Sequence, residues 1–183
     1  AGIERLADGD VAEAFRFANR AMWQQRVHTL AAEARRRDPR LKLHEAVEQV
    51  DEPENRSWRP FQLAFVLLNL PALADPIHEE RTKDGALVDL LFFPTGGGKT
   101  EAYLGLTAFA IAIRRLQGVV GGRSGSDGVT VLMRYTLRLL TLQQFQRAAA
   151  LLCACELRRR QLYGDGSTGE QRRWGTTPMR IGL

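Results

Sequence analysis

The chain has 183 residues, of which 44% are hydrophobic and 26% charged, with a net charge of +5. This is the balance of an ordinary soluble chain, long enough for one well-buried domain and a smaller appendage. No run of about 18 apolar residues offers a membrane-spanning helix, and no basic stretch leads into an apolar one at the start, so no secretory leader is read. The charge is uneven: 16 basic against 17 acidic residues up to Gly122, then ten Arg against four acids from Arg123 onward. Arginine forks suit a nucleic-acid backbone, although charge alone fits a solubilising face or a protein surface equally well.

In chain order, Val11, Phe15, Ala18 and Met22 recur at helical spacing, and Asp10 to Arg37 is expected to be a helix with Asp10 near its N-cap. Lys42 to Val50 reads as a short second helix, and the polar, proline-bearing stretch 51–55 as a linker. The expectation is therefore a helical appendage over 1–55 and a nucleotide domain over 56–183. Within the latter, Phe61 to Leu70 is expected as a buried helix behind Pro60, with 71–85 as a connector. Ala86 to Phe93 reads as an apolar strand and Thr100 to Arg115 as a helix with Leu104, Ala108 and Ile111 inward. Residues 118–128 form a Gly/Ser-rich loop, Val129 to Met133 a second strand, and Leu137 to Tyr163 a long helix with Leu139, Leu142, Phe145, Ala149 and Leu152 on one stripe. Residues 164–175 are polar, and Met179 to Leu183 opens a third strand. Strand–helix alternation implies an α/β fold with a parallel sheet. Cys153 and Cys155, two apart on a helix, face different ways and read as reduced packing residues, with an intracellular setting following.

The chemistry concentrates at Pro94-Thr95-Gly96-Gly97-Gly98-Lys99-Thr100. A strand, a glycine loop and a helix in that order cradle phosphate, because glycines let the backbone wrap an oxyanion and the helix N-terminus offers free N–H groups. Lys99 would reach the terminal phosphates, and the Thr100 hydroxyl would ligate Mg²⁺. The general phosphate-loop pattern asks for glycine at position 93, where this chain has Phe93; the narrower P-T-G-x-G-K-[ST] fits fully. That form resembles motif I of superfamily 2 helicases, the RecQ-like ones in particular. The alternative is a glycine turn that happens to precede Lys-Thr.

Trp58-Arg59-Pro60-Phe61-Gln62 resembles the aromatic-Arg-x-x-Gln element ahead of motif I in those enzymes, where the Gln amide matches the donor and acceptor of adenine and Trp58 and Arg59 would flank the base. The alternative is that Trp58 and Phe61 are core residues and Gln62 is exposed. Thr136 to Gln143 resembles motif Ia through Arg138, Leu140 and Gln143, with Arg134 nearby; a helix N-terminus and an Arg there would meet a strand phosphate, against the alternative of a core helix with solvated polar residues. Thr177-Pro178-Met179-Arg180 resembles motif Ib, although entry to a strand is the favoured reading. Trp174 is expected to pack rather than to stack on a base.

Taken together, 92–106 and 134–145 resemble the helicase-like proteins of DISARM bacterial anti-phage systems. The resemblance covers most of 58–183. It implies the first part of a RecA-like motor domain within a large ATP-dependent DNA helicase or translocase. ATP and Mg²⁺ would be held by Thr95, Gly96, Gly97, Gly98, Lys99, Thr100 and Glu101, with Trp58, Arg59 and Gln62 at the base; DNA, single- or double-stranded, would meet Arg134, Arg138, Gln143 and Arg180. A protein partner in the defence complex and a cytoplasmic setting are implied as well. No acidic pair ends an apolar strand after Lys99, and motor ATPases need such a pair and arginine fingers. These residues alone are therefore expected to turn over negligible ATP. A nucleotide-gated assembly switch is the competing reading.

Overall fold

The computed structural model describes residues 1–82, 84–94, 96–134, 138–163 and 173–182, and the fold is helical. The elements are α1 (Gly2–Arg5), α2 (Gly9–Arg37), α3 (Leu43–Val50), α4 (Pro60–Ala74), α5 (Lys99–Gln117), β1 (Val119–Val120), β2 (Arg123–Ser124) and α6 (Arg138–Tyr163). Among the described residues the sheet consists of β1 and β2 alone, an antiparallel pair pairing Val120 with Arg123. Gly121 and Gly122 turn between them at positive φ, as a two-residue hairpin demands.

The expected parallel sheet is thus not formed. Residues 86–93 and 129–133 carry no strand, and Val88 is 96%, Leu90 85% and Leu132 88% exposed. Apolar β-branched composition makes a segment fit for a sheet, but a strand exists only through a hydrogen-bonded neighbour. No described segment pairs with either run. Residues 179–182 likewise form no strand, and the expected polar segment falls largely on 164–172, outside the described residues.

The helices stand close to expectation. Asp8 rather than Asp10 caps α2, its carboxylate accepting from the N–H groups of Asp10 at 2.9 Å and Val11 at 3.4 Å. Arg35, Arg36 and Arg37 close its last turn, where cations suit the dipole. α4 runs through Pro71 to Ala74, four residues past the expected end. Pro71 cannot donate to the Leu67 carbonyl, and Gly2 of α1 packs directly on that carbonyl: a Cβ at position 2 would fall 1.9 Å from its oxygen.

α5 is the central element, packed by α2, α4 and α6. Leu104, Ala108, Phe109, Ala112 and Ile113 are all but fully buried on it, whereas Ile111 is half-buried. On α6 the buried stripe is Ala148, Leu151, Leu152, Ala154 and Cys155, while Leu142 is exposed. The core joins α2, α4, α5 and α6, with Val11, Phe17, Leu70, Leu104, Phe109 and Leu151 meeting in it. Trp174 stacks on Phe17 at 4.6 Å between ring centres and donates to Glu13 at 3.1 Å, so it packs as expected. Cys155 is buried and Cys153 exposed, both as free thiols; burial pushes the Cys155 thiol up to about 12. Among the described residues no helix is long and apolar enough to cross a membrane.

Candidate nucleotide-binding loop

The glycine loop lies at the N-terminus of α5. Gly96 has φ +80° and Gly98, the residue that caps α5, φ +90°. An L side chain rarely adopts that backbone, so glycine is required there for the chain to turn directly into the helix. The Gly97 N–H donates to the Pro94 carbonyl at 3.0 Å, which closes the turn. Among the described residues no side chain caps α5, and the N–H groups of its first turn have no helical acceptor. Open space adjoins Gly96, where an added Cβ would meet nothing within 4 Å. These features fit an anion at the loop. Thr95 lies outside the described residues. The Lys99 ammonium donates to the carbonyls of Phe93 and, at 3.2 Å, Pro94. Thr100 is half-buried in the first turn.

α4 holds the loop at both ends. Phe61 stacks on Phe93 with ring centres 3.9 Å apart and planes 18° apart. The residue that breaks the general phosphate-loop pattern is therefore an anchor for the loop's entry. At the exit, Arg59 Nη1 donates to the Gly97 carbonyl at 2.7 Å and Gln62 Nε2 to the Gly98 carbonyl at 2.8 Å. Gln62 Oε1 accepts from the Arg59 N–H at 2.9 Å, and the side chain is buried. The amide expected to face adenine thus engages backbone at both of its ends. Trp58 donates its indole N–H to Asn19 of α2 at 2.6 Å and lies against Gly105 of α5.

A cleft of about 370 Å³ adjoins the loop, lined on one side by Trp58, Arg59, Gln62, Gly96, Gly98 and Glu101 and on the other by α2 and residues 54–57. Its size is in the range of small-ligand sites. Lys99 and Thr100 are not among its lining residues. Glu101 pairs with Arg147 of α6, so the first turn of α5 is tied to the Arg-rich helix. Nothing in the local sequence around position 147 signals this contact, because its partner lies 46 residues away. Among the described residues no cluster of three or more His, Cys, Asp or Glu could hold a metal by itself.

The expected nucleic-acid residues are only partly gathered. The Arg138 side chain lies outside the described residues. Arg134, Gln143 and Arg180 are exposed. Arg180 lines a groove of about 670 Å³ with residues 129–133, Gln144 and Phe145, and Arg134 and Gln143 are not among its lining residues. The strap 174–179 beside that groove is held by two buried arginines. Arg115 donates to the Trp174 carbonyl at 3.3 Å and the Thr177 carbonyl at 2.7 Å. Arg159 donates to the Gly175 carbonyl and, through Nε and Nη2, to both oxygens of Glu156 at 2.8 Å.

The chain is similar to the DISARM protein DrmA of Bacillus paralicheniformis (strain ATCC 9945a / NCIMB 11709 / CD-2), with 44% identity over 171 residues. The match takes in 91% of this chain and spans 14% of that protein's length. No family model matches the chain. Over nine-tenths of its length, then, the chain is similar to a DISARM protein.

Proposed function

We propose that the chain is the nucleotide-binding portion of an ATP-dependent DNA helicase or translocase acting in anti-phage defence. The observation that carries the proposal is the loop itself: two glycines at positive φ deliver Lys99 and Thr100 into the uncapped first turn of α5. In this reading Lys99 and the loop N–H groups hold phosphate, the Thr100 hydroxyl holds Mg²⁺, and Glu101 orients the first turn through Arg147. ATP with Mg²⁺, when bound, supplies the driving hydrolysis. Arg134, Arg138, Gln143 and Arg180 meet the DNA backbone, consistent with the arginine excess after Gly122. The similarity to a DISARM protein supports the defence role; a protein partner within that system and a cytoplasmic site of action belong to the same proposal.

The test is Lys99→Ala in the full-length protein. ATP turnover is expected to vanish while DNA binding persists; normal turnover in the variant removes the assignment. DNA affinity that falls steeply with salt separates a motor gripping several phosphates from a nucleotide-gated assembly switch, which would show no appreciable DNA affinity even at low salt.

A further inference from the structure

We propose that Gln62 is a positioning residue of the phosphate loop and not a reader of the base, so that the site selects a triphosphate with little regard to the nucleobase. The inference rests on the triphosphate reading above and specifies how that site is built.

Reading adenine through a terminal amide needs its oxygen and an N–H presented together at a cleft wall. The Gln62 side chain is only 4% exposed. Its oxygen is turned to the Arg59 N–H at 2.9 Å and its nitrogen to the Gly98 carbonyl at 2.8 Å. The contact is close as well: a Cβ on Gly98 would sit 2.7 Å from Gln62 Nε2. The amide is therefore packed against the loop's backbone.

What the contact does follows from peptide geometry. In a trans peptide the carbonyl and the following N–H point in opposite directions. Arg59 holds the Gly97 carbonyl and Gln62 the Gly98 carbonyl, both on the α4 side. The N–H groups of Gly98 and Lys99 are thereby aimed the other way, as a phosphate cradle requires. The Phe61–Phe93 stack fixes the loop's entry on the same helix. Three side chains at the start of α4 thus orient the loop before any ligand arrives.

The experiment measures the affinity of the full-length protein for ATP, GTP, inosine triphosphate and inorganic triphosphate, which has no base. In the unaltered protein the three nucleotides are expected to bind within about threefold of one another, since no buried amide is left unpaired by the wrong base. In Gln62→Ala all four probes are expected to weaken together by roughly tenfold. In Gln62→Glu, which keeps the acceptor for Arg59 but sets a carboxylate against the Gly98 carbonyl, all four are expected to weaken further. DNA affinity at low salt serves as the readout of general damage and is expected to hold, whereas the melting temperature without ligand is expected to fall by several degrees with the loss of two buried hydrogen bonds. A loss confined to ATP, or a preference of a hundredfold for ATP in the unaltered protein, overturns the inference and leaves the triphosphate reading standing. Variants with unchanged affinities also overturn it. If the unaltered protein binds none of the four, both readings fall.

Discussion

Arg147 in the middle of α6 forms an ion pair with Glu101 in the first turn of α5. The pair joins the helix that begins at Arg138 to the helix that begins at Lys99. Both side chains are about three-quarters buried, so the contact is screened less than a surface pair, although its contribution to stability is about 1 kcal/mol at most. Its consequence lies in coupling. In the full-length protein Arg147→Ala is expected to lower DNA-stimulated ATP turnover several-fold, well beyond its effect on basal turnover, with the melting temperature lowered by a few degrees at most. Undiminished stimulation would show that α6 and the loop act independently.

The contact of Trp58 with Gly105 yields a packing prediction. A Cβ at 105 would lie 2.7 Å from Cη2 of the indole and 3.4 Å from Cζ2. The ring cannot slide away freely, because its N–H is bonded to Asn19 at 2.6 Å. Gly105→Ala is expected to destabilise the fold by about 1–3 kcal/mol, the usual cost of overpacking, even though alanine favours helix. Denaturant unfolding measures it. Trp58→Leu in the same background is expected to recover part of the loss, and an additive double variant would place the strain elsewhere.

Glu156 gives the chain an acid-sensitive strap. Hydrogen bonds from Arg159 foremost, then from Arg160 and the Met179 N–H, outweigh burial and hold its carboxyl at about 2, against an ordinary 4.5. The stability this supplies is complete above about 4.5 and is lost as acid titrates the group through about 2. Glu156→Gln is therefore expected to cost on the order of 1–3 kcal/mol at neutral pH. The gap between variant and unaltered protein should narrow between those two pH values in pH-dependent unfolding. A gap independent of pH would assign the effect to packing.

The helices were legible in the sequence because their signals are local. Apolar spacing on α2, Pro60 at the first position of α4 and the arginines closing α2 each report within a turn or two. Asp8 displaced Asp10 as the cap by geometry alone. The sheet was misread because residues 86–93 and 129–133 have the composition of strands, whereas strand formation depends on a partner that composition does not reveal. At the loop, the positive-φ glycines and the helix behind them follow from the motif. The engagement of Gln62 with the loop could not be read, because an amide that fits adenine fits a carbonyl and an N–H equally well. Phe93 looked like a departure from the phosphate-loop pattern, and only the ring of Phe61 across from it supplies its reason.

α5 has a glycine-built turn at one end and two gripping arginines at the other. At its far end Arg114 donates to the carbonyls of Ser124, Val129 and Asp127 at 3.3, 3.1 and 3.0 Å, and Arg115 holds the segment that leads to Arg180. Its 19 residues form one unbroken helix, a lever of about 28 Å. A tilt of about five degrees at the Lys99 end would swing the Arg114 end by about 2 Å, the scale on which packed helices shift between alternative states. Movement at the glycine turn would thereby reach the hairpin and the strap, which Arg114 and Arg115 hold.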